Sequence, residues 1–143
     1  MTTSDAFEEI AENFELFDDW EDRYRYVIDL GKELPALDEA RRTDAAKVEG
    51  CASQVWLVPD VEGDGAAARL HFEGDSDAMI VRGLIAVLIA LISGQRLSDI
   101  QAMDIPGELA RLQLDQALTA QRSNGLRAMV TRIQDIARGA RTV

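Results

Sequence analysis

The sequence is short of cysteine, histidine and proline: 143 residues contain one Cys, one His and three Pro. A single cysteine makes no internal disulfide and supplies no multi-cysteine metal site. It fits a reducing compartment and leaves one thiol to account for. Basic residues are also in deficit, with 15 Lys+Arg against 26 Asp+Glu and a formal net charge of −11. So acidic a chain repels phosphate backbones, which argues against nucleic acid as a partner. Long apolar runs are missing too. The longest, Gly83 to Ile92, is ten residues and is bounded by Arg82 and Ser93, whereas a bilayer span needs about 20. The segment from Met1 to Glu9 has no basic or apolar leader region and is acid-rich, unlike a transit peptide. A cytoplasmic protein with no membrane segment is expected. No Walker loop, GxGxxG or HExxH pattern is present.

What is there suits one domain over residues 1–143, long enough to bury a core without a disulfide or metal. The charge is unevenly placed. Residues 1–40 hold 13 acids and three bases, residues 41–143 hold 13 acids and 12 bases, and from Arg111 onward six Arg face two Asp. An acidic front end of this kind is either a solvated helical face or a docking surface for a basic partner.

Phe7, Ile10, Phe14 and Phe17 recur at helical spacing and predict an amphipathic helix over about 5–18. Trp20, Tyr24, Val27, Gly31 and Leu34 predict a second over about 20–34, stopped by Pro35. The charged stretch 38–46 reads as loop or a short helical turn. Gln54 to Val58 is β-branched and aromatic, a strand. Pro59 to Gly65 reads as a hairpin connection, and 68–73 as the return strand, with Leu70 and Phe72 on one face and His71 on the other. Ser76 is the expected N-cap of a helix over about 77–93, with Asp77 favouring its first turn. That helix has no wet face and must be central, and Gly94 ends it. A short helix is expected over 97–103, a turn at Ile105-Pro106-Gly107, and a further short helix marked by Leu109 and Leu112. The last helix, about 120–138 with Thr119 as N-cap, carries the stripe Leu126, Met129, Val130, Ile133, Ile136 and Ala137. The expected class is α+β, with several helices packed on a small antiparallel sheet.

Cys51 sits between Gly50 and the small residues Ala52 and Ser53, where a loop enters a strand. Small neighbours leave the sulfur approachable and Gly50 permits a sharp bend. An inert buried thiol and a reactive one both remain open on this pattern. A cysteine hydrolase needs a base, and the one histidine, His71, lies on the return strand, so a Cys51–His71 dyad is possible but unforced. One Cys, one His and scattered acids match no metal-ligand spacing. A lone thiol suits sulfur transfer better, because a thiolate attacking an activated sulfur needs no proton relay. Glu49 opposes thiolate formation, so activation is expected from a partner's site. Arg122 begins the last helix against the dipole, which calls for a salt bridge or anion contact, and Gly125 suggests close packing.

Gly50-Cys51-Ala52-Ser53-Gln54-Val55-Trp56-Leu57 resembles the GC-x-SQVW motif of the SufE/CsdE-like sulfur acceptors. Gly74-Asp75-Ser76-Asp77-Ala78 with Ile80 to Ala86 is similar to the family's second motif, and Leu118-Thr119 to Arg122 with Gly125-Leu126 to its third. The helix Trp20 to Leu30 with Gly31, and Leu34-Pro35, also match, so the likeness runs over about 10–138. The sequence departs from the pattern at Ala52, where Gln is common, and at Ala120-Gln121, where Pro usually follows Thr. The resemblance implies a sulfur acceptor and desulfurase activator. Sulfur would pass from a SufS-type cysteine desulfurase to Cys51 as a persulfide, then to a scaffold complex that builds iron–sulfur clusters. Pyridoxal phosphate belongs to the desulfurase, and neither cofactor nor metal is expected on this chain. The implied fold is similar to that of the U-type cluster scaffolds. Gly50, Ala52, Ser53 and Gln54 would shape the loop, and Asp75 and Arg122 would hold or expose it. A monomer is expected, with Cys51 resting against apolar side chains until docking swings it out. Alternatives are a U-type iron–sulfur scaffold, which one cysteine disfavours, and a purely regulatory interaction protein.

Overall fold

The computed structural model describes residues 5–48, 54–114 and 118–142, the side chains of residues 66 and 139–142 excepted. Helix α1 (Asp5–Glu15) is one-sided, with Phe7, Ile10, Ala11 and Phe14 buried and acids on the wet face. It ends three residues before the expected position, in a turn that leaves Leu16 exposed. Asp19 then caps α2 (Trp20–Glu33), its carboxylate accepting from the Asp22 amide at 2.9 Å.

A three-stranded antiparallel sheet in the order β1-β2-β3 follows, built from Val55–Glu62, Arg69–Ser76 and Gln95–Arg96. β1 runs four residues beyond the expected end at Val58 and passes straight through Pro59. Pro59 lies in an edge strand, where a missing ladder donor is tolerated. The turn shrinks accordingly to Gly63–Ala68, with Gly63 and Gly65 at positive φ. β2 runs on to Ser76, burying Leu70, Phe72 and Gly74 on the face that carries the core while His71 stays partly exposed. The polar pair Gln95–Arg96 has no strand signature. It becomes β3 because Gly94, at φ +88°, turns the chain back and donates to the Leu70 carbonyl at 2.7 Å.

Helix α3 (Met79–Ile92) is the central element, packed on α2, β2, α1 and α6. Nine of its residues are buried, Leu84, Ile85, Val87, Leu88, Leu91 and Ile92 almost completely. Each such aliphatic side chain stabilises by about 1.5–3 kcal/mol relative to exposure. Its approach to α2 needs two glycines. A Cβ on Gly83 would stand 2.0 Å from the Val27 carbonyl oxygen, and one on Gly31 2.6 Å from that of Met79. Ser76 is not the N-cap of α3. It ends β2, its hydroxyl accepts from the Ala78 amide at 3.2 Å, and the cap position is Ala78, with no side-chain bond. Asp77 likewise lies outside the first turn, because its carboxylate is taken by another segment.

The short helices are α4 (Leu97–Ala102) and α5 (Ile105–Ala110). Residues 105–107, expected to be a turn, are the first turn of α5. Asp104 caps it through the Gly107 amide at 3.1 Å, and Pro106 sits where a helix has no use for its missing N–H. α6 (Ala120–Thr142) starts as expected, Thr119 Oγ1 accepting from the Arg122 amide at 3.2 Å. Leu126, Met129, Val130, Ile133 and Ala137 are its buried stripe. No described helix is long and apolar enough to cross a membrane.

Candidate functional site

Gly50, Cys51, Ala52 and Ser53, with Glu49, lie outside the described residues. The structure therefore shows the frame on either side of them. On the upstream side, residues 46–48 lie antiparallel to the start of β1. The Val48 amide donates to the Val55 carbonyl at 2.8 Å, the Leu57 amide donates to the Ala46 carbonyl at 2.9 Å, and Lys47 stands opposite Trp56. Ala46 and Val48 are buried. On the downstream side, the Gln54 amide donates to Asp77 Oδ1 at 3.1 Å and the Asp77 amide donates back to the Gln54 carbonyl at 3.3 Å. Gln54 itself is exposed.

Beneath this frame lies Asp75, the cross-strand partner of Trp56, only 1% exposed. Both carboxylate oxygens are fully engaged. Oδ1 accepts from the Ser76 amide at 2.8 Å and from Arg82, and Oδ2 accepts from the Leu37 amide at 2.9 Å and from Arg42 at 2.8 Å. Burial by itself pushes the Asp75 pKa up. The Leu37 and Ser76 amides, with the Arg82 and Arg42 guanidiniums, outweigh it and hold the carboxyl below its ordinary value. Arg82 also donates to the Gly31 carbonyl at 3.1 Å and to that of Leu34, which ties the end of α2 to the start of α3. Arg42 lies 5.4 Å from the Trp56 ring centroid. One buried charge thus joins the 34–42 segment, α2, α3 and the start of the hairpin.

The expected site residues divide. Gln54 and Asp75 come together at this end of the hairpin, on adjoining strand ends. Arg122 stands in the first turn of α6, half-buried. It lies ten residues, about 15 Å, from Arg132 along the same helix. His71 is at the other end of the hairpin. It pairs with Asp60, five residues or about 17 Å along β1 from Val55, and its Nε2 meets Glu62 Oε2 at 3.2 Å. The other member of a Cys51–His71 dyad lies outside the described residues. Among the described residues, no three His, Cys, Asp or Glu converge as metal ligands.

Sequence reasoning missed Arg42, Arg82 and Arg132 as parts of this frame. Arg82 carried a signal: it is the one charged residue within α3, and a charge inside so apolar a helix needs a partner. Arg42 and Arg132 carried none, because each bonds across a sequence distance of more than 30 residues.

Residues 8–137 match the SufE family, described as an Fe-S metabolism associated domain. A SufE-like protein of Rhizobium meliloti (strain 1021) is 49% identical over 134 residues, covering 94% of this chain and 96% of that one. A SufE-like protein of Rhizobium etli is 52% identical over 133 residues, covering 93% and 90%. A solution structure of a hypothetical protein from Thermus thermophilus superposes with a TM-score of 0.76 at 19% identity. It covers 99% of this chain and 100% of that one, and it has the same fold.

Proposed function

The chain belongs to the SufE family, and from that membership in Fe-S metabolism we propose that it is a sulfur acceptor working through Cys51. The partner is a cysteine desulfurase of the SufS type, which carries its own pyridoxal phosphate and holds a persulfide on its own cysteine. The Cys51 thiolate attacks the terminal sulfur of that persulfide. A new S–S bond forms on Cys51, the partner's S–S bond breaks, and the electron pair leaves on the partner's cysteine thiolate. The transferred sulfur keeps its proton or takes one from solvent. Nothing is oxidised or reduced overall, so the chain needs no cofactor or metal of its own.

The observation that carries the reading is the family match over nearly the whole chain, with Cys51 as the one thiol in it. The frame supports it further. Val48 and Gln54 are pinned by hydrogen bonds to β1 and to Asp77, so the five residues between them span two fixed points. In this reading Gly50, Ala52, Ser53 and Gln54 shape the loop, and Asp75 holds the platform beneath it. Arg122 helps expose the thiol, which rests against apolar side chains until docking. The protein acts as a monomer in the cytoplasm, where a single thiol stays reduced. It stimulates the desulfurase and hands sulfur on to a cluster-building scaffold complex.

Intact-mass measurement after incubation with a cysteine desulfurase and cysteine tests it. One added sulfur is expected on the wild type, none on Cys51→Ser, and the gain is lost on reduction. No added sulfur with an active desulfurase of the SufS type overturns the reading.

A further inference from the structure

Residues 46–48 form a short strand-like edge on the outer side of β1. In such a segment alternate backbone groups face opposite ways. The Ala46 carbonyl and the Val48 amide face β1 and are paired there. The Lys47 carbonyl faces the other way, where no further strand follows among the described residues, and the Ala45 carbonyl belongs to the hydrogen-bonded turn just before it. Arg132 of α6 takes both of them: Nη2 donates to the Ala45 carbonyl at 2.5 Å, and Nη1 to that of Lys47 at 3.3 Å. A planar guanidinium fork spans two carbonyls two residues apart, a geometry that an ammonium on a flexible stem does not reproduce. Arg132 thus ties this edge and the turn before it to α6.

We propose that Arg132 is a positioning residue for Cys51: it fixes the point from which the chain leaves toward the thiol, and it couples that point to α6. The inference rests on the sulfur-acceptor reading for its purpose, but not for its geometry. Cys51 follows Lys47 by four residues and Val48 by three, so freeing this edge moves one of the loop's two anchors. The other anchor, Gln54 on Asp77, is held by bonds that do not involve α6.

The test follows the alkylation of Cys51 by iodoacetamide in the free protein across the thiol's titration range, for wild type, Arg132→Ala, Arg132→Lys and Arg138→Ala. Arg138 is an exposed residue of α6 that pairs with Asp135 one turn away, and its removal is expected to change nothing. Loss of two charge-assisted bonds should raise the high-pH plateau of the Arg132→Ala rate at least about five-fold, with the midpoint unmoved. Lysine should restore only part of the difference. Persulfide loading by a desulfurase should then need a higher concentration of Arg132→Ala for half-maximal rate, at an unchanged maximum. If Arg132→Ala fails to fold, Arg132→Gln, which keeps one donor, is expected to show the same change at smaller amplitude. A wild-type plateau in the folded variants overturns the proposal, as does a shifted midpoint with an unchanged plateau. Alkylation needs no desulfurase, so this failure is distinct from the wild type gaining no sulfur.

Discussion

At one end of the β1–β2 hairpin Val55 lies opposite Ser76, and at the other Glu62 lies opposite Arg69. The two ends belong to the same pair of strands and are built on different physics. The first is buried and holds a carboxylate with four donors, two of them guanidiniums. The second is solvated. Residues 59–62 are exposed, and the His71–Glu62 contact has 43% and 72% of its side chains open to water. A buried ion pair gains little against an apolar replacement but costs heavily when one partner is removed, because the other is left charged in a dry site. An exposed pair is worth little in either direction. The buried end is the one that leads into the Cys51 segment, and the solvated end leads into a turn.

The largest expected effect breaks that contrast directly. Asp75→Ala takes the carboxylate from Arg82, Arg42 and two backbone donors and should lower the unfolding free energy by about 3–5 kcal/mol in urea. Glu62→Ala should change it by less than about 0.5 kcal/mol. Equal losses at the two ends would show that burial of the ion pairs does not distinguish them.

A smaller effect sharpens the comparison through pH. The folded-state pKa of Asp75 lies below its ordinary value. Its ionised form therefore stabilises the fold fully above the unfolded-state value of about 3.9, and that contribution is lost as pH falls through the lower folded value. The stability gap between wild type and Asp75→Asn should be constant near neutrality and shrink below about pH 4. Urea midpoints measured down to about pH 3 check this, and a gap that does not narrow contradicts it.

The smallest effect concerns His71. His71→Ala should leave both the urea midpoint and persulfide loading of Cys51 at wild-type levels. Its one described side-chain contact is to exposed Glu62, and its strand partner stands about 17 Å along β1 from Val55. Loss of loading in this variant would make His71 a base for the Cys51 thiol.

Helices with one strong apolar stripe were legible from spacing alone. α1, α2, α3 and α6 stand within a few residues of where Phe7–Phe14, Trp20–Leu34, Ile80–Ile92 and Leu126–Ala137 put them. Elements decided by pairing were not. β1 passes Pro59 because it is an edge strand, and β3 exists because Gly94 brings two polar residues alongside Leu70. Ser76 misled as a helix cap because the strand pairing of Val55 with Ser76 claimed it first. The start of α5 at Pro106 was legible in principle, since Asp104-Ile105-Pro106 carries both signs of a helix start.

For the candidate site, the sequence by itself determined the chemistry available: one thiol, between small residues, in a chain of the SufE family. Reactive atoms are properties of residue types, and a sole cysteine has no rival. What only the tertiary structure decided is which distant groups hold the approach to that thiol. Asp75 meets Arg42 across 33 residues, and Arg132 meets Lys47 across 85. No local pattern encodes such pairs, because a guanidinium finds its carbonyl or carboxylate only after apolar burial has packed α3 and α6 into place.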